Sequence, residues 1–249
     1  MFLELALSLK FLSVADLAYG WGILDREVFV SLWVVIFVLL GCYLLGKIRF
    51  SHDSELEHVS IARFFLALFS FSFAVYLVPG LWGAPLKSVS AFVPPLYTQD
   101  FNLYAGGQFR EFDDYDEGMR YAAESGRPVL IDFSGYGCVN CRKMEGAVFD
   151  TDVISDIIKK DFVLIKLMVD DKQALAEPIT VEENGKKVTL SSVGDKWSYL
   201  QRSKFGANSQ PYYVMLGNSG SPLASPYYYD EDVDKFGEWL ASGIENYKN

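Results

Sequence analysis

Hydrophobic positions follow two different patterns along this chain. In the first third they form long unbroken runs. Val28–Gly46 (VFVSLWVVIFVLLGCYLLG) contains no charge, and Phe64–Leu86 (FFLALFSFSFAVYLVPGLWGAPL) is bracketed by Arg63 and Lys87. A helix rises about 1.5 Å per residue, so about 20 apolar residues cross a hydrocarbon core about 30 Å thick. Both runs predict spanning helices, because a buried helix of a soluble protein would normally break such a run with polar residues. Met1–Leu24 is apolar too, but Glu4, Lys10 and Asp16 interrupt it. A signal peptide needs a basic start and an uninterrupted apolar centre, which this segment lacks. It reads as the end of a spanning helix followed by a re-entrant or interfacial piece, as in a fragment of a longer membrane protein. Residues 1–87 are therefore expected to form a transmembrane region.

Residues 88–108 hold Pro94-Pro95 and Gly106-Gly107, which impose extended backbone and then loosen it; they read as a linker. From Phe109 to the end the pattern becomes α/β. Tyr115–Ser125 is helix-like and stops at Gly126, and Pro128–Ser134 (PVLIDFS) is an apolar run suited to a strand covered on both faces. Cys138–Val148 can be helical. Thr151 or Asp152 can cap a helix through Lys160, and Phe162–Val169 (FVLIKLMV) is a second buried strand. Pro178–Leu190 alternates around Asn184-Gly185, a hairpin signal, and is read as an insertion. Lys196–Phe205 predicts a helix, Tyr212–Leu216 and Pro222–Tyr229 a strand pair, and Asp230–Tyr247 a closing amphipathic helix. The order suits a mixed sheet with helices on both faces.

Charge adds an orientation. Lys47 and Arg49, with Arg63, lie between the two long runs, whereas Asp16–Glu27 offers only Arg26. By the excess of basic residues in cytoplasmic loops, the 47–63 loop faces the cytoplasm and the domain after Leu86 faces outward. Net charge is −10, and after residue 105 there are 16 Lys and Arg against 24 Asp and Glu. A nucleic-acid surface needs a basic face, so nucleic acid is excluded as a partner.

The chemistry concentrates in Cys138-Val139-Asn140-Cys141, a C-x-x-C placed just after a buried strand and at the start of a helix. Only a thiolate attacks a disulfide, and the N–H groups and dipole of a helix start lower the thiol's ordinary pKa of about 8.5. Cys138 is then the nucleophile, and Cys141, one turn in, resolves the mixed disulfide. No cofactor is expected beyond this redox-active pair. A tetrahedral zinc site would need two more ligands, and the only histidines, His52 and His58, lie in the loop assigned to the other side of the membrane. Asp132, six residues before Cys138 in an apolar strand, should have a raised pKa and carry the proton of Cys141; the alternative is a carboxylate hydrogen-bonded for structure. Glu145, four residues after Cys141, either tunes that cysteine's proton affinity or is a solvated surface acid. Tyr136, in the loop before the cysteines, counts as a partner contact, while Tyr227–Tyr229 reads as strand or as an aromatic rim. Cys42, alone in the first span, reads as a small hydrophobe.

The stretch Gly-Tyr-Gly-Cys-Val-Asn-Cys-Arg-Lys-Met-Glu after a strand, with a later Gln-Pro before another, resembles the thioredoxins. More closely, the chain resembles the carboxy-terminal part of the bacterial DsbD family of thiol:disulfide interchange proteins. FLELALSLKFLSVADL, LLGKIRF and VPGLWGAPL extend that likeness into the apolar region. The resemblance implies an α/β thioredoxin fold preceded by an α-helical transmembrane region, in the bacterial inner membrane with the thioredoxin domain in the periplasm. It implies that the family's cysteine pair and its two acids fall on Cys138, Cys141, Asp132 and Glu145. It also implies a cis peptide at Gln210-Pro211 facing the cysteines, where the Gln210 backbone would bind a partner peptide. In that family a cysteine pair in the membrane domain donates electrons that originate with cytoplasmic thioredoxin. The outer domain passes them to periplasmic disulfide proteins, including the cytochrome c maturation pathway. This chain lacks the helices with the relay cysteines and the amino-terminal acceptor domain. The expected function is protein-disulfide reductase; a thiol oxidase and a non-enzymatic binding or anchoring module are the alternatives.

Overall fold

The computed structural model describes residues 1–53, 57–100, 103, 111–183 and 185–248. Two units emerge, one of residues 1–16 and 22–106 and one of 107–249 together with 17–21.

The first unit is helical: α1 (Phe2–Tyr19), α2 (Arg26–Leu44) and α3 (Ile61–Leu77), the last continuing as a 3-10 turn over Val78–Trp82. Helix α1 is a continuous 18-residue helix, and past its end the Asp16 carboxylate accepts the N–H groups of Ile23 and Leu24. Helices α2 and α3 approach closely at Gly41, where a Cβ would lie 2.6 Å from the Phe71 ring. Ser70 Oγ donates to Phe37 O at 2.6 Å across the same contact. The second apolar run was expected to stay helical to Leu86; it leaves the helix earlier because Pro79 and Gly80 enter and Gly83 takes a positive φ of 90°. Residues 88–100, expected as linker, turn back onto this unit instead: Val89 and Val93 join its core with Phe29, Trp33 and Leu86. The Arg26 guanidinium donates to Pro94 O and Ala84 O. The rest of the linker falls mostly outside the described residues. Arg26–Leu44 and Ile61–Trp82 are long and apolar enough to cross a membrane, and side chains such as Val35, Phe65, Phe69 and Val75 stay exposed on them.

The second unit is built on a four-stranded sheet. Its strands are β1 (Glu111–Phe112), β2 (Val129–Ser134), β3 (Val163–Met168) and β6 (Tyr212–Leu216), in spatial order β1-β3-β2-β6. The first three run parallel and β6 runs antiparallel to β2. Strand side chains alternate between faces, which sorts the core into two layers. Val129, Ile131, Phe133, Ile165, Leu167 and Val214 pack on one face with helices α4 (Tyr115–Ser125) and α7 (Val193–Phe205). Leu130, Leu164, Tyr213 and Met215 pack on the other. There they meet α5 (Val139–Met144), a π turn (Glu145–Phe149), α6 (Asp152–Asp161) and α8 (Val233–Lys248). The mixed sheet flanked by helices is as expected.

Local chemistry explains most boundaries. Asp114 caps α4 through the N–H groups of Asp116 and Glu117, and Gly126 ends it at a φ of 63°. Helix α7 begins three residues before the expected Lys196, because Ser192 and Asp195 form a reciprocal capping box. Helix α8 starts at Val233, not Asp230, because Asp232 accepts the Asp234 and Lys235 N–H groups. The insertion forms a separate two-stranded sheet of β4 (Ala174–Glu183) and β5 (Lys186–Ser192), longer than the expected 178–190; Asn184 lies outside the described residues. The expected strand 222–229 is reduced to two bridges, Leu216 with Pro222 and Tyr213 with Tyr227. Between the bridges four residues oppose two, and Pro222 and Pro226 have no N–H to give a ladder. Strand β1 had no visible sequence signal at two residues.

Helix α7 is set against the chain after β3 by Gly194, whose N–H donates to Asp171 O at 3.0 Å. A Cβ at Gly194 would lie 2.6–2.7 Å from backbone atoms of Asp171 and Val169, which cannot rotate away. Gly194→Ala should therefore lower stability by about 1–3 kcal/mol, although alanine favours helix by about 1 kcal/mol. Urea unfolding followed by circular dichroism measures this, and an unshifted midpoint would contradict the packing argument.

Candidate functional site

The end of β2 leads directly into the cysteine loop. Ser134 closes the strand and Gly135 is buried beside Asp170, whose carboxylate would sit 3.0 Å from a Cβ at that glycine. Asp170, just past β3, accepts the N–H groups of Tyr136 at 2.8 Å and Gly137 at 3.0 Å. The Tyr136 hydroxyl, expected as a partner contact, is 3.4 Å from Asp171 Oδ2. The Cys138 N–H returns to Gly135 O at 3.1 Å, completing a tight turn. Cys138 is the N-cap of α5, and its Sγ accepts the Cys141 N–H at 3.1 Å. The two cysteines are joined as a disulfide. Cys138 is half-buried, whereas Cys141 is 1% exposed. A partner can reach only the first sulfur, and the helix N–H that now touches it would stabilise its thiolate.

Beneath this helix the sheet carries charge where apolar residues are expected. Asp132 on β2 and Lys166 on β3 are register partners, both on the face that α5 covers. Glu145, at the start of the π turn, is 2.5 Å from Lys166 Nζ and 2.7 Å from Arg142 Nη1. Arg142 is itself buried and donates from Nη2 to Ser134 Oγ at 3.2 Å. Asp132 is 3% exposed, and its Oδ1 has no hydrogen-bond partner among the described residues.

These surroundings separate the two acids. Burial pushes the Asp132 carboxyl up to about 7, against the pull of Lys166 and with a further push from Glu145. Burial would raise Glu145 too, but Arg142 and Lys166 outweigh it and hold Glu145 below the ordinary carboxylate range. Burial opposes charge on Lys166, yet Glu145 and Glu111 raise its pKa. Glu145 is therefore a fixed anion shared by two cations, and Asp132 is the group able to take up and release a proton near neutrality. From the sequence, Asp132 is expected to be desolvated with a raised pKa, and its burial and the direction of its shift are those expected. The sequence reading had left Glu145 open between tuning group and solvated acid, and it missed Lys166 and Arg142. Lys166 carried a signal: it is the one charge in FVLIKLMV, as Asp132 is in PVLIDFS.

The third component precedes β6. The Gln210–Pro211 peptide is cis. Phe133 pairs with Tyr212, so Pro211 and Gln210 lie at the end of the sheet where β2 runs into the cysteine loop. Tyr228 stands edge-on to Tyr212 with ring centres 5.4 Å apart, and Lys143 of α5 lies over the Tyr229 ring at 6.0 Å. Cys42 is half-buried in α2, outside this constellation, and His52 and His58 are exposed.

Residues 111–191, from β1 into β5 and including both cysteines, match a family described as thioredoxin-like. The chain carries a thioredoxin-like domain. Among solved structures, a DsbH oxidoreductase is similar at 13% identity over 59% of this chain and 92% of its own, with a TM-score of 0.41. A thioredoxin from Thermus thermophilus is similar at 17% identity over 54% of this chain and 86% of its own, with a TM-score of 0.40. No curated protein matches the chain. Within the thioredoxin-like domain, the matched stretch contains the cysteine pair, Asp132, Glu145 and Lys166, while the Pro211 turn lies beyond it.

The buried acid has a consequence for stability. An unfolded aspartate titrates near about 3.9, while Asp132 in the fold titrates near 7. Between those values the folded chain holds a proton that the unfolded chain has lost, so stability falls as pH rises. Between pH 5 and pH 8 the oxidised protein should lose about 2–3 kcal/mol that Asp132→Asn does not lose. Denaturant titrations at the two pH values test this; parallel losses would show that Asp132 is not the buried acid described.

Proposed function

We propose that this chain is a membrane-anchored protein-disulfide reductase of the DsbD kind, with its thioredoxin-like domain on the periplasmic side of a bacterial inner membrane. One observation carries the exchange chemistry. A half-exposed Cys138 caps a helix, is bonded to a buried Cys141, and stands on a sheet face holding an acid with a pKa of about 7.

In the reduced protein the Cys138 thiolate attacks one sulfur of a partner disulfide. The partner's S–S bond breaks, a mixed disulfide forms, and the partner's other sulfur leaves as a thiolate that takes a proton from solvent. Cys141 then gives its proton to ionised Asp132 and attacks Cys138 Sγ. The second partner sulfur departs as a thiolate that takes a proton from solvent, and the Cys138–Cys141 disulfide forms. Two electrons have passed from the dithiol to the partner. A membrane-domain cysteine pair, not present in this chain, is the proposed donor, and periplasmic disulfide proteins are the acceptors. Membrane anchoring is supported by the two long apolar helices, and the donating direction by the likeness of FLELALSLKFLSVADL and VPGLWGAPL to the DsbD family.

Trapping tests the reading. With the full chain and a peptide containing one disulfide, Cys141→Ser should accumulate a mixed disulfide visible as a mass increase under non-reducing conditions. Cys138→Ser should form none and reduce no peptide. Retention of function by Cys138→Ser would instead indicate a binding module.

A further inference from the structure

One buried polar side chain takes no part in the exchange chemistry. Gln201 on α7 is fully buried, at 0% exposure. An amide in such a place is costly unless both its ends are paired. Both ends are paired, and both go to the turn before β6. Nε2 donates to Ser209 O at 2.9 Å, and Oε1 accepts from Gln210 Nε2 at 2.9 Å. A methionine or leucine would fill the same space without burying an amide, so packing alone does not call for glutamine here. The Gln210 backbone N–H and C=O make no hydrogen bond among the described residues, and the adjoining Ser209 is exposed. The turn therefore combines a backbone fixed from beneath with peptide groups left open beside it. It stands at the end of the sheet where β2 runs into the Cys138 loop.

We infer that Gln201 is a positioning residue for partner recognition: it holds the Ser209–Gln210 turn in place so that a cysteine-bearing partner segment can pair with its open peptide groups as an added strand. The inference rests on the exchange reading of Cys138 and Cys141. Fixing the turn in advance removes part of the ordering that binding would otherwise require. Gln201 touches neither sulfur, so it acts on the partner's affinity and leaves the bond-making steps alone.

The test uses the full chain, reduced beforehand, in single-turnover reactions with two probes. One is a synthetic peptide with a single disulfide; the other is a small aromatic disulfide too short to pair as a strand. Gln201→Met keeps the side-chain length and removes both hydrogen bonds. Its half-saturating peptide concentration should rise about 5–10-fold, while the maximal rate and the small-disulfide rate stay within about twofold. An unchanged peptide half-saturation, or peptide and small-disulfide rates falling together, overturns the inference. If Gln201→Met does not fold, Gln210→Ala removes the other side of one bond from a half-exposed position. It should raise the same concentration by a smaller factor, and no rise overturns the inference. A wild-type chain inert toward both disulfides would overturn the exchange reading itself.

Discussion

A carboxyl group enclosed in the middle of a sheet is the constraint on which the second unit turns. Asp132 lies in a strand whose other side chains are fully buried, and the pairing of β2 with β3 sets it beside Lys166. A lysine and an aspartate alone could neutralise each other there. Glu145 changes the balance by taking Lys166 at 2.5 Å and Arg142 at 2.7 Å, which leaves Asp132 facing desolvation with its cationic neighbour already engaged. The arrangement costs stability at neutral pH. In return it places a group of pKa about 7 under the helix that carries both cysteines.

The rest of the site depends on the strand ends. Loop 135–138 is drawn into shape by Asp170, from the chain following β3, so the strand that supplies Lys166 also leads to the group that fixes the approach to Cys138. The helix then buries Cys141 and leaves Cys138 half-open, so exposure helps to divide attack from resolution. Strand β6, antiparallel to β2, returns the cis Gln210–Pro211 turn to the same end of the sheet, and α7 reaches that turn from the opposite face through Gln201. Both layers of helices therefore contribute to one edge.

Much of this was legible in the sequence, for identifiable reasons. PVLIDFS and FVLIKLMV are continuous apolar runs, and the C-x-x-C follows the first at loop distance, so the strands, the site and Asp132 could be read directly. The role of Glu145 could not, because it depends on Lys166, 21 residues away in sequence and adjacent only through strand register. Arg142 drew no separate reading, since a run of Arg, Lys, Met and Glu does not say which side chain turns inward. Helix starts slipped by three residues at α7 and α8 because Ser192 and Asp232 cap more effectively than composition suggests. The 222–229 segment was expected to pair with Tyr212–Leu216 along its length, but its prolines reduce it to two bridges. In the apolar region, hydropathy located both long helices. It did not reveal that Pro94, in the first half of the expected linker, accepts a hydrogen bond from buried Arg26.

The central claim is that Cys138 and Cys141 donate electrons to protein disulfides. Its most direct test is the reduction potential of the full chain, equilibrated against dithiothreitol or glutathione buffers and read from the fraction of free thiols. The account predicts a reducing value close to that of thioredoxin, about −270 mV. A value near about −120 mV would contradict it and make the pair a disulfide donor.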